Sequence, residues 1–163
     1  MRVSLNMRNR RGFTLVEMLV SLTILGILAS IALPYAELTV KRAKEVELRA
    51  SLRQIRTAID EFHQDWKSET IVRNDGSSSR DGYPVSLDVL VDGAPLANSD
   101  QIKRYLRRIP RDPFTQDGPA MDHWQLHGYQ DDPESVIWGG DDVYDVRVTH
   151  DMQALDGTYY KDW

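Results

Sequence analysis

An α+β chain in two parts is what this sequence predicts: one long N-terminal helix packed on a small C-terminal domain of antiparallel strands and loops. Three observations predict it. Phe13–Leu33 is an apolar run of 21 residues that holds a single charge, Glu17. Leu48, Leu52, Ile55, Ile59, Phe62 and Trp66 then recur at steps of four, three, four, three and four, the stripe of an amphipathic helix. Beyond Pro110 the chain breaks into short β-branched and aromatic runs between turns rich in Gly, Pro and Asp.

Residues 1–12 form a basic leader with four arginines (Arg2, Arg8, Arg10, Arg11) and no acid. The rest of the 163-residue chain carries 16 basic against 25 acidic residues, a net charge of −9. A body that acidic lacks the basic footprint of a nucleic-acid binder. The absence of cysteine excludes disulfides, thiol catalysis and cysteine-ligated zinc.

Residues 13–34 form the transmembrane segment, since 21 apolar residues at about 1.5 Å each span about 30 Å, the bilayer core. Basic residues before it and acidic bulk after it place the N-terminus on the cytoplasmic side. Pro34 marks the exit with a kink. Residues 35–66 continue as an amphipathic helix whose polar face holds Lys44, Glu47, Arg53, Arg56 and Asp60. Residues 67–163 form the head. Within it, helical segments are expected around Ser86–Val91 and Ser99–Arg107, and strands around His123–Leu126, Ser135–Trp138 and Val143–Val148.

One constellation carries chemistry. Arg10-Arg11-Gly12-Phe13-Thr14-Leu15-Val16-Glu17 followed by an apolar run resembles the signature of type IV prepilins, the family of pilins and of the pseudopilins of type II secretion. The resemblance implies cleavage between Gly12 and Phe13 by a membrane prepilin peptidase, then methylation of the new Phe13 amine. The residue types suit that role. Gly12 lets the backbone enter a protease cleft in extended form. A carboxylate one turn inside an apolar segment needs a cation, and the Phe13 amine of an adjacent subunit supplies one during assembly.

A second match lies in the head. Tyr83-Pro84-Val85-Ser86-Leu87 with Leu90, then Tyr105-Leu106-Arg107-Arg108-Ile109-Pro110-Arg111-Asp112-Pro113-Phe114, resembles the G-type (major) pseudopilin of type II secretion. Pro110 and Pro113 fix two φ angles and bias Ile109 and Asp112 away from helix, so the segment is a packing turn. The C-terminal third departs from that pattern and lacks the family's Ser-x-Gly-x-Asp-Gly calcium loop. In its place stand Asp141, Asp142, Asp145, Asp151 and Asp156, candidate oxygen ligands for calcium. The rival reading is a solvated acidic turn whose aspartates cap the backbone.

Enzyme signals are weak. His123 and His127 are four apart but lie in strand-like sequence without the zincin glutamate. No serine has a nucleophile-elbow context, and no phosphate-binding loop occurs. The resemblance therefore implies a non-enzymatic, pilin-like structural subunit of a type II secretion pseudopilus that drives export across the outer membrane. It implies a homopolymer that works with minor pseudopilins, an inner-membrane assembly platform and the prepilin peptidase. The chain would sit single-pass in the bacterial inner membrane, its head periplasmic, before extraction into a periplasmic filament. Two alternatives stay open: a type IV pilus subunit or minor pilin, and a membrane-anchored periplasmic binding domain that never polymerises.

Overall fold

The computed structural model describes residues 12–74, 76–115 and 117–163. The leader expected over residues 1–12, Gly12 apart, lies outside the described residues. The chain is α+β and divides into two compact units, Met1–Val40 and Lys41–Trp163. Helix α1 covers Leu15–Lys67 and contributes to both, with Pro34 inside it.

In the second unit the stripe read from the sequence is the core. Leu48, Leu52, Ile55, Ile59 and Phe62 are fully or almost fully buried, and Trp66 packs at the edge. Burial of each such side chain favours the folded state by about 1.5–3 kcal/mol, which is what holds an otherwise solvated helix in place. The polar face is less uniform than the spacing implies. Arg56 is half-buried because its guanidinium donates to Asp145 Oδ1 at 2.7 Å and to Val146 O at 3.1 Å.

The rest of the head covers that stripe. Helix α2, Leu87–Asp92, buries Leu87 and Leu90. Strand β1, Ala94–Pro95, pairs antiparallel with β2, Ile102–Lys103, in the register Ala94↔Lys103. Strand β3, Trp124–His127, pairs antiparallel with β4, Asp145–Val148, in the register Trp124↔Val148. The second sheet turns Trp124, Val146 and Val148 into the core.

Two expectations need correction. Ser99–Arg107 is not helical. Ile102–Lys103 is drawn into the β1 pairing, Leu96 N–H donates to Gln101 O, and the amides of Tyr105 and Leu106 both donate to Leu90 O. Lys103 is also held by Glu61 and Asp65 of α1, at 3.0 and 2.6 Å. Tertiary pairing outweighs local propensity there. Ser135–Trp138 is not a strand either. It has no partner strand among the described residues, and the Ser135 hydroxyl bonds locally to Ile137 N and O in a turn.

Candidate assembly site

The apolar run becomes the first part of α1, and Thr14 sets its start. The Glu17 amide donates to Thr14 Oγ1 at 3.2 Å and the Met18 amide to Thr14 O at 3.1 Å. That is an N-cap, which satisfies donors the helix would otherwise leave bare. Glu17 therefore stands in the first helical turn, where the dipole favours negative charge. Its side chain is exposed, and it joins none of the ion pairs among the described residues. Phe13, just before the cap, is exposed as well.

Large apolar side chains on every face of this stretch are exposed, from Leu15 at 82% to Ile31 at 64%. A helix apolar all round is stable only when lipid or other helices surround it, and this one is long and apolar enough to cross a membrane. Its polar side chains suit that setting. Ser21, Thr23 and Ser30 donate their hydroxyls back to Glu17 O, Leu19 O and Ile27 O at 2.7–2.8 Å, so these three donors are not left bare to hydrocarbon. A Cβ on Gly26 would meet nothing within 4 Å, so together with Ser21, Ala29 and Ser30 it offers small side chains where a second helix can approach.

The residues of the second sequence match form a packing device. Tyr83 stacks on His63 with centroids 4.0 Å apart, and Tyr105 donates its hydroxyl to Asp65 Oδ2 at 2.8 Å. Pro110 O accepts the Trp124 indole N–H at 2.9 Å. Asp112 is the hub: its buried carboxylate accepts the Phe114 amide at 2.8 Å and His150 Nε2–H at 2.7 Å. The Pro-Arg-Asp-Pro pattern shows the turn; nothing in the sequence shows that His150, 38 residues on, would close it.

The five candidate calcium ligands are not brought together. Asp142 is buried and accepts from Ser79 Oγ at 2.7 Å and from the Tyr129 amide at 2.8 Å. Asp145 pairs with Arg56, Asp151 with Lys161 and Asp156 with Arg49, while Asp141 is exposed. Among the described residues no group of three or more acidic or histidine side chains could hold a metal. Four of the five are instead engaged by side chains or amides of the head itself. Asp131 does similar work. Its carboxylate accepts the amides of Gly128 and Gly139, and those bonds hold its pKa below the usual carboxylate value.

The two histidines weighed for zinc serve the backbone. His123 accepts the Asp112 amide on Nδ1, so its Nε2–H donates to Asp117 O at 2.9 Å. His127 places its ring nitrogens 3.1 and 3.0 Å from Gly128 O and Asp132 O.

Comparison with known proteins points the same way as the N-terminal geometry. Residues 7–33 match the family described as the prokaryotic N-terminal methylation motif. The chain is similar to the type II secretion system core protein G of Klebsiella pneumoniae, 29% identical over 146 residues, which cover 84% of this chain and 94% of that protein. It is also similar to the protein of the same name from Aeromonas hydrophila, 29% identical over 113 residues, covering 66% of this chain and 69% of that one. No solved structure matches.

Proposed function

We infer that this chain is a G-type pseudopilin, a structural subunit of a type II secretion filament polymerised through its N-terminal helix. The observation that carries the reading is the capped, exposed Glu17 one turn inside an all-round apolar helix, in a segment that matches the methylation motif.

The physical sequence runs from that carboxylate. Prepilin peptidase removes the leader after Gly12 and leaves a free amine on Phe13, which is then N-methylated. A cation at the start of its own helix faces the positive end of the dipole and gains little there. The same amine beside Glu17 of an adjacent copy gains a charge pair in a medium of low dielectric. Each added subunit thereby fixes its axial register against the last. The small residues of the membrane segment let helices approach, and the heads form the filament surface.

Before assembly the chain is held single-pass in the inner membrane, with its N-terminus cytoplasmic and its head periplasmic. The inner-membrane assembly platform adds copies at the base, minor pseudopilins sit in the same fibre, and the growing filament moves cargo toward the outer membrane. The work is mechanical, and no residue is assigned a catalytic role.

The test is chemical. N-terminal analysis of the chain purified from membranes should give N-methylphenylalanine at Phe13, and cells whose outer membrane has been opened should release filaments of it. A chain that keeps Met1 and stays single overturns the reading.

A further inference from the structure

We propose that the loop tip Val136–Ile137 of one copy docks into the cleft beside the Arg104–Arg111 ridge of the next copy, a contact between heads that rests on the filament reading above. Two surfaces of one head carry the argument.

The first is a loop that is held firmly and yet displays apolar side chains. Its ends are tied by the Asp131 carboxylate, which accepts the Gly128 amide at 2.7 Å and the Gly139 amide at 3.2 Å. Trp138 donates its indole N–H to Asp142 O at 2.6 Å, and Arg147 donates to Pro133 O at 3.0 Å. Val136 and Ile137 are nevertheless each 77% exposed. Residues 131–142 contain five acids and no base. Asp132, Glu134 and Asp141 are exposed and belong to none of the ion pairs among the described residues.

The second surface has the opposite charge. Residues 103–111 contain five bases and no acid, in a chain of net charge −5. Lys103 is paired to Glu61 and Asp65. Arg104, Arg107, Arg108 and Arg111 are exposed and in no ion pair among the described residues. Arg108 and Arg111 flank a cleft of about 470 Å³ against α1, with Ala50, Ile109 and Pro110 as apolar lining and Glu47 as its one acid.

The two surfaces match in kind. An apolar tip rimmed by unpaired acids meets a cleft that offers Ala50, Ile109 and Pro110 as apolar contacts and is flanked by Arg108 and Arg111, and arginine forks suit carboxylates. Because the patches differ, each copy offers one and receives the other. Such a head-to-tail contact does not close on itself and generates an open fibre. A contact this small is weak between free heads. It counts once the helices hold neighbours at high effective concentration.

The chain has no cysteine, so a Gln54→Cys/Val136→Cys full-length chain reports the contact directly. Gln54 lines the cleft and both positions are exposed. Oxidation of filaments should give a ladder of cross-linked multimers. Reversing one charge in that background, with Glu134→Lys or Arg111→Glu, should lower the ladder about tenfold, and combining the two should restore it. Filaments that form normally but give no ladder overturn the docking contact and leave the subunit reading intact. A ladder unmoved by either reversal, or not rescued by the pair, also overturns it. If the unsubstituted chain forms no filament, the subunit reading falls and this contact falls with it.

Discussion

Tyr160 donates its hydroxyl to Glu45 Oε1 at 2.9 Å, in a buried bond that joins the last turn of the chain to α1 across 115 residues. The same Glu45 oxygen accepts the Leu155 amide at 2.7 Å. Arg49 lies 4.0 Å from the Trp163 ring, and Lys41 donates to Gln153 O. The C-terminal segment thus closes the head by fastening onto the helix. Tyr160→Phe removes one hydrogen bond but leaves Glu45 its amide partner. The expected loss is about 1–1.5 kcal/mol, read from the chemical unfolding midpoint of the detergent-solubilised chain.

Alkaline pH should loosen the same contact. Burial, and then the Glu45 hydrogen bond, push the Tyr160 hydroxyl well above the ordinary tyrosine value of 10.0, and burial with the Asp65 bond does the same for Tyr105. Above pH 10.0 the unfolded chain releases these protons while the folded chain still holds them, so stability falls as pH rises. The stabilisation is fully present below the ordinary value and is lost on the way up to the raised one. Unfolding curves should be level up to that pH and weaken beyond it. In the Tyr160→Phe/Tyr105→Phe chain much of that slope should disappear.

Gly82 is a position where only glycine fits. Its φ is +84°, and a Cβ there would stand 2.4 Å from Trp66. Gly82→Ala must pay for the left-handed backbone and also displace the indole, which packs against the core. A loss of about 1–3 kcal/mol is expected, with a rise in Trp66 exposure visible as a fluorescence change. An unchanged melting temperature would show that the turn relaxes without cost.

The helical part was readable because its signals are periodic or cumulative. An unbroken apolar run and a stripe from Leu48 to Trp66 depend on nothing distant in the chain. The head was readable where local chemistry decides, as at Leu87–Asp92 in α2 and at Pro110–Pro113. It was misread where a distant partner decides. Ile102–Lys103 is a strand because Ala94–Pro95 lies beside it, and Asp112 is a hub because His150 reaches it. Of the candidate site, Glu17 one turn inside the apolar run could be read from residue types, whereas the Thr14 cap and the separate uses of the C-terminal aspartates were not. Asp142, Asp145 and Asp156 are each bound by a residue far away in sequence: Ser79, Arg56 and Arg49.

Calcium should therefore leave the head unmoved. Asp142, Asp145, Asp151 and Asp156 are each engaged by a cation or a hydrogen-bond donor of the chain itself. Binding an ion through six to eight oxygens would require several of those bonds to break. Melting curves of the chain with excess calcium and with chelator are expected to superimpose. A calcium-dependent rise of several degrees would mean that these carboxylates regroup around the ion.

Glu17→Gln tests the charge pair on which the proposed assembly depends. The substitution keeps side-chain size, and the capping bond uses the Glu17 backbone amide rather than its carboxylate, so the start of α1 stays intact. Membrane insertion and cleavage after Gly12 should then proceed as before. What changes is the difference between the free and assembled states. In the lone membrane-held chain an unpaired carboxylate inside the apolar segment costs about 2.5–3.5 kcal/mol near the bilayer centre and less toward the interface. In the filament proposed above it would meet a Phe13 amine. The amide lowers the cost and removes the gain, so the free chain becomes more comfortable and the polymer less favoured. Filament yield from cells whose outer membrane has been opened should drop by about tenfold or more, with normal levels of processed chain left in the membrane. Wild-type filament yield from the Gln chain would mean that the charge pair does not drive assembly.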